Sequence, residues 1–238
     1  MNSIMSVCNL TKSFGGLVAV NEVSFDLKAG DTLGIIGPNG AGKTTLFALL
    51  TGFLKADRGE IIFENLALNG LKPHEISNRG LVRTFQIVQN FSELSTLENV
   101  MVGAFLRSKS SSEAKREAQG GLERVGLKDK AEVPAKKLTM LDQKRLEIAK
   151  VLATKPKVIL ADETMAGLTP VEIERAVDLI KTLRDEAITF ILIEHVMQVV
   201  MALSNRIVVI HHGSKIAEGS PQEIVKDKRV IDAYLGED

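Results

Sequence analysis

One octapeptide limits the possible folds more than any other part of the chain. Gly37-Pro38-Asn39-Gly40-Ala41-Gly42-Lys43-Thr44 fits G-x-x-x-x-G-K-[ST], the pattern of a phosphate-binding loop. The glycines allow backbone dihedrals that side chains would forbid, so successive N–H groups converge on phosphate oxygens. Lys43 has the reach and charge for β- and γ-phosphates, and the Thr44 hydroxyl is placed for Mg²⁺. Asp31-Thr32-Leu33-Gly34-Ile35-Ile36 reads as the strand entering the loop. Thr45-Leu46-Phe47-Ala48-Leu49-Leu50 reads as the helix whose N-terminus faces the phosphates, and Thr45 joins the nucleotide-binding set. A strand before and a helix after disfavour a chance match.

The remaining pattern predicts an α/β fold. Residues 7–25 alternate polar and apolar and read as short antiparallel strands, with another at Gly59-Glu60-Ile61-Ile62-Phe63 and a further one at Leu81-Val82-Arg83-Thr84-Phe85. The middle changes character. Ser95-Thr96-Leu97-Glu98 is a capping box opening a helix toward Phe105. Residues 112–125 form a polar helix ended by Gly126, and residues 139–153 form another. Val158-Ile159-Leu160-Ala161 and residues 188–193 read as buried parallel strands. Thr169-Pro170-Val171-Glu172 opens a helix with Ile173, Ala176, Val177, Ile180 and Leu183 on one face. Strands are expected at 206–210 and 215–218, and Ser220-Pro221-Gln222-Glu223 opens a last helix. The expected architecture is a single P-loop NTPase domain over 1–238. Residues 1–86 and 154–238 would form a parallel-sheet core with an N-terminal antiparallel β subdomain, and residues 87–153 an inserted α-helical subdomain.

In such a core, ligands sit at the C-terminal strand ends. Asp162 and Glu163 follow a buried strand directly. One carboxylate supports Mg²⁺ through water and the other orients and deprotonates an attacking water; two solvated loop acids are the bland alternative. Gln86 ends its strand, where a neutral amide can contact both Mg²⁺ and water without adding charge, although a lone glutamine is more often a plain surface residue. His195 ends the strand Ile191-Leu192-Ile193-Glu194, in reach of a γ-phosphate, although a lone histidine is more often a packed or exposed residue.

Composition narrows the partners. Thirty basic residues balance thirty acidic ones, so no charge excess points to nucleic acid or anionic lipid. Cys8 is the only cysteine, which excludes an intrachain disulfide and fits a reducing compartment. No apolar run is long enough to span a bilayer and no secretion signal is expected. Work at a membrane would need a partner to hold the chain there.

The order of P-loop, Gln86, helical insert, Asp162-Glu163 and His195 resembles the nucleotide-binding subunits of ABC transporters over nearly the whole chain. A closer resemblance is to the ATPase subunits of high-affinity branched-chain amino acid importers. Thr84-Phe85-Gln86, Leu146-Glu147-Ile148-Ala149, Met165-Ala166-Gly167-Leu168 and Ala233-Tyr234-Leu235-Gly236 carry it. The resemblance implies ATP and Mg²⁺, with Thr44, Gln86 and Asp162 on the metal, Glu163 as catalytic base, and His195 ordering γ-phosphate and water. Gln86 would also link the ATP site to a membrane subunit. Phe14 occupies the place of the aromatic that stacks on adenine, with strand packing an equal alternative, and Tyr234 is too distant in sequence to replace it. Two such subunits would close head to tail. The partners implied are a second ATPase subunit, transmembrane permease subunits and, indirectly, an external solute-binding protein, with the chain cytoplasmic on the inner face of the membrane.

Two places depart from the family pattern. Its signature Leu-Ser-Gly-Gly-Gln reads Leu138-Thr139-Met140-Leu141-Asp142. Leu141 replaces a glycine whose backbone approaches the opposite γ-phosphate, and Asp142 adds a carboxylate expected to repel it. Thr139 and Asp142 also read as a capping-box-like pair at a helix start. After Glu163, the usual Ser-Ala-Leu-Asp reads Ala166-Gly167-Leu168-Thr169. These departures suggest an asymmetric pair in which the partner supplies the intact signature. They also leave open a largely regulatory ATP-binding subunit. A non-transport ABC protein usually has two cassettes or long coiled-coil arms, which this chain lacks. A GTPase or small-molecule kinase is disfavoured by the missing Asn-Lys-x-Asp motif and the lack of an acceptor site.

Overall fold

The computed structural model describes residues 3–84 and 89–235. Gln86 and Phe85 lie outside the described residues, as do positions 87 and 88. The chain opens with β1 (Ser3–Phe14) and β2 (Leu17–Lys28), an antiparallel hairpin turning at Gly15-Gly16. Next come β3 (Thr32–Ile36), α1 (Lys43–Leu50), β4 (Arg58–Phe63), β5 (Leu66–Ala67), α2 (Pro73–Asn78) and β6 (Leu81–Arg83). The strands expected to be short over 7–25 are two strands of twelve residues each. The pairing register shifts near Asn9, one of two residues in these strands (with Glu22) that have positive φ, and such bulges break the alternation that marks a long strand in sequence.

Then follow α3 (Thr96–Ala104), α4 (Ser111–Arg124), α5 (Met140–Ala153), β7 (Val158–Asp162), α6 (Pro170–Asp185), β8 (Thr189–Ile193), α7 (Met197–Leu203), β9 (Arg206–His211) and β10 (Ser214–Gly219). The chain ends with α8 (Pro221–Ile224) and α9 (Lys228–Leu235). The capping box at Ser220 therefore opens a single turn, and α9 is the last described helix.

Two sheets organise the molecule. One is antiparallel, in the order β2-β1-β4-β5; the other runs β10-β9-β3-β8-β7-β6, with only β10 antiparallel to its neighbour. Every residue of β3, β7 and β8 is buried, as expected for parallel strands covered on both faces. The C-terminal ends of β3, β7 and β8 lie side by side, so the loops leaving them converge.

The helical part follows local rules closely. Ser95 and Glu98 form the reciprocal capping box of α3, and Ser110 caps α4 through the Glu113 amide. Leu97, Val100, Ala114, Ala118, Leu122, Leu141, Leu146 and Ala149 bury one continuous core across α3, α4 and α5, which extends to β7 and α6. On α6, Ala176, Val177, Ile180 and Leu183 are buried and Ile173 packs against the same core. No helix among the described residues is long and apolar enough to cross a membrane.

Candidate active site

The phosphate-binding loop joins β3 to α1. Gly37 and Gly42 have φ of 150° and 104°, and each is pressed against a neighbouring backbone. A Cβ on Gly37 would lie 1.9 Å from the Ile210 carbonyl oxygen, and one on Gly42 would lie 2.2 Å from that of Ala19. Only glycine meets both the dihedral and the space. Gly42 provides no side-chain cap to α1, and the first turn carries no acidic residue. The first amides and the positive end of the helix dipole are thus available to an anion. Lys43 is buried, and its Nζ donates to the carbonyl oxygens of Gly37 at 2.6 Å and Pro38 at 2.7 Å, which folds the ammonium over the loop.

A cleft of about 370 Å³ opens above this loop. Residues 39–45 line it together with Glu163, His195, Phe14, Leu17 and Val18. His212 and Gly213, which sequence reasoning missed, also line it. They sit in the turn between β9 and β10, held to the loop by the Gly213 amide donating to the Ala41 carbonyl at 3.0 Å. Phe14 ends β1 and is 46% exposed, with the Lys12 ammonium 5.5 Å from its ring centroid. It presents its ring to the cleft rather than packing into the sheet.

Glu163 and His195 come together. They follow the adjacent strands β7 and β8, and His195 Nε2 lies 2.7 Å from Glu163 Oε1. Glu163 has φ of 49°, a left-handed conformation unusual for a residue with a side chain. Asp162 is buried, and the Arg83 guanidinium donates to its Oδ2 at 2.5 Å. Arg83 also lies 5.8 Å from the Phe47 ring centroid. Sequence reasoning missed Arg83, because nothing local in Leu81-Val82-Arg83 points to an acid on β7.

For a divalent cation, the donor chemistry is a hydroxyl (Thr44) and a carboxylate (Asp162, one oxygen committed to Arg83), with Gln86 outside the described residues. No group of three His, Cys, Asp or Glu side chains among the described residues could hold a metal by itself. That set fits Mg²⁺, which keeps several waters and is bound by one or two protein oxygens together with substrate phosphates.

The expected signature loop differs from its sequence reading. Thr139 caps α5 and accepts from the Asp142 amide at 3.2 Å, but the reciprocal half of a capping box is not formed. The Asp142 carboxylate turns instead to the Lys130 ammonium, with Arg145 at 3.9 Å. Its side chain is 7% exposed, so the charge expected to repel a phosphate is compensated inside the helical region. Leu141 is core, 5% exposed, while Leu138 is buried and Met140, at 50%, is the exposed apolar side chain at the helix start. Restoring glycine at Leu141 would therefore remove core packing as well as change the loop. Thr169, in place of an expected acid, caps α6 in a capping box with Glu172.

A glycine loop at a helix N-terminus and a carboxylate–histidine pair on neighbouring strands frame one cleft, and the family model described as ABC transporter matches residues 20–166. The chain belongs to the ABC transporter family. It is an ATP-binding cassette and an ATPase. A second family model, branched-chain amino acid ATP-binding cassette transporter, matches residues 214–238. The chain is 42% identical to the high-affinity branched-chain amino acid transport ATP-binding protein LivG of Salmonella typhimurium, over 98% of each chain. It superposes with TM-score 0.91 and 33% identity on the crystal structure of an ABC transporter ATP-binding cassette in its ADP conformation, covering all of both chains. A dimeric post-hydrolysis ATP-binding cassette bound to ADP and Pi matches with TM-score 0.80 and 26% identity over 91% of this chain and 98% of that one. These relationships leave the GTPase and kinase readings without support, and none favours a purely regulatory subunit.

Proposed function

We propose that this chain is the ATP-hydrolysing, energy-coupling subunit of an importer for branched-chain amino acids. The observation that carries the chemistry is the 2.7 Å contact of His195 with Glu163 at the rim of the phosphate cleft. The similarity to LivG supports the transport role and the cargo. In this reading, Gly37 to Thr45 cradle the triphosphate and Phe14 stacks on adenine. Thr44, Asp162 and Gln86 hold Mg²⁺, which when bound neutralises charge on the phosphates. Glu163 orients a water and takes its proton as the water oxygen attacks the γ-phosphorus. The bond from that phosphorus to the β-phosphate oxygen breaks, leaving ADP and inorganic phosphate. His195 holds Glu163 and the γ-phosphate in register.

Residues 87–153 act as a helical subdomain between the two halves of the core, 1–86 and 154–238. They offer Leu138, Thr139, Met140, Leu141 and Asp142 to the ATP of a second cassette; a paired, buried Asp142 does not oppose this. The existence of a dimeric cassette of this fold supports such a pair, as a heterodimer or a homodimer. Differential affinity of ATP for the closed pair would move permease subunits on the inner face of the membrane. An external solute-binding protein would deliver cargo from the other side.

The test is uptake by vesicles reconstituted with this chain, its second cassette, its permeases and its solute-binding protein. ATP-driven uptake of leucine, isoleucine and valine, lost in Lys43→Ala, is expected. Uptake of urea or short amides in their place would overturn the cargo, and undiminished uptake with Lys43→Ala would overturn the motor role.

A further inference from the structure

Glu194 is a buried acid that the hydrolysis chemistry above does not use. It stands between Ile193, the last residue of β8, and His195, and it is 4% exposed. An ionised carboxylate in such a place bears a desolvation cost that an apolar side chain would avoid. What it supplies is an acceptor. Thr164 Oγ1 donates to Glu194 Oε1 at 3.2 Å, and the Met165 amide donates to the same oxygen at 3.0 Å. Thr164 and Met165 are the two residues after Glu163, so the acid grips the turn that carries the general base.

That turn needs gripping. Glu163 has φ of 49°, which a residue with a Cβ avoids unless its surroundings impose it. Three ties hold it to the end of β8. The Glu163 amide donates to the Ile193 carbonyl at 2.8 Å, and the residues that follow donate twice to Glu194. On the far side of Glu194, His195 reaches back to Glu163 at 2.7 Å. Glu194 thus closes a small ring: base, turn, acid, histidine, base. Burial above all raises its carboxyl from the ordinary range; the neighbouring Glu163 charge adds to this, while the Met165 and Thr164 bonds and the Lys144 charge on α5 oppose it.

We infer that Glu194 is a positioning residue for hydrolysis: its buried carboxyl fixes the left-handed turn at Glu163 and so aims that side chain at His195. The inference rests on the reading of Glu163 and His195 as the hydrolytic pair. It assigns Glu194 no contact with ATP. Its loss should therefore lower kcat and leave nucleotide binding alone.

The experiment measures kcat, KM for ATP, equilibrium ATP affinity and melting temperature in the assembled transporter. The chains compared are the natural one, Glu163→Gln, Glu194→Leu and Glu194→Gln. Glu194→Leu removes the acceptor, and kcat should fall about 10- to 100-fold, the scale of a small misplacement of a reacting group, with KM and affinity within about twofold. Glu194→Gln keeps an oxygen for both donors and should stay within about threefold of the natural kcat. Three results would overturn the inference: a natural kcat in Glu194→Leu, equal losses in both variants, or a joint fall in kcat, ATP affinity and melting temperature. Should Glu194→Leu fail to assemble, Thr164→Val removes only the hydroxyl bond and should lower kcat about threefold at unchanged KM; an unchanged kcat there would overturn it too. If Glu163→Gln itself turns over at the natural rate, the hydrolytic reading has failed. A natural rate in Glu194→Leu beside a slow Glu163→Gln sinks the positioning role alone.

Discussion

The cleft around the phosphate loop and the start of α5 are built on opposite principles. In the cleft, irregular backbone does the positioning. Gly37, Gly42 and Glu163 all have positive φ, and Lys43 is folded onto its own loop. At the start of α5, ordinary helix rules suffice: Thr139 caps, Leu141 packs inward, and Asp142 is neutralised by Lys130. The difference teaches which departures from a family pattern matter. A changed glycine at position 37 or 42 in the first region would break geometry that only one residue type permits. In the second, Leu141 and Asp142 have been absorbed into a regular element.

The sharpest way to break this contrast is Gly42→Val. Its Cβ would meet the Ala19 carbonyl at 2.2 Å in a backbone conformation closed to valine, so ATP binding should be lost outright in a calorimetric titration. Retained affinity would mean that the loop is not the rigid cradle described. Next in size are two glycine replacements at the helix start. Leu141→Gly should cost about 2–5 kcal/mol in chemical denaturation, from a lost core side chain and a weaker helix. Met140→Gly, at an exposed position, should cost no more than about 1 kcal/mol. Equal costs would show that Leu141 is not core.

A smaller effect separates the two regions by pH. Burial raises Glu194 above the usual 4.5, so the stability tied to this group is full below that value and is lost as pH rises through the folded one. Glu194→Gln has no such loss. Its melting temperature should lie nearest the natural chain's at and below pH 4.5 and exceed it by a margin that grows as pH rises through the folded value and then stays constant; a gap that narrows with rising pH would refute the burial argument. Smallest is Asp142→Asn. With the charge already compensated by Lys130, removing it should change turnover in the assembled pair by no more than about twofold. A large rise would restore the repulsion suggested by the sequence.

How much was legible follows the same division. Gly37 to Thr44, the apolar runs of β7 and β8 and the capping boxes at Ser95 and Thr169 are local patterns, and local physics sufficed to read them. The positions of Asp162, Glu163 and His195 were legible because they lie at or just beyond the ends of such runs. Arg83 on Asp162, His212 beside the phosphate loop, and Glu194 under the Glu163 turn were not, since each depends on strand order. The short helices α2 and α7 also went unread, having too few residues for a period to show. The capping-box reading of Thr139 and Asp142 was half right, because Lys130, twelve residues away, claimed the carboxylate.

The central claim is that Glu163, held against His195, is the general base of an ATP-driven motor. Single-turnover hydrolysis by Glu163→Gln in the assembled transporter, beside equilibrium ATP binding, tests it most directly. The account predicts unchanged binding and hydrolysis slowed by about 10²- to 10⁴-fold. Hydrolysis at a near-natural rate with binding intact would contradict it.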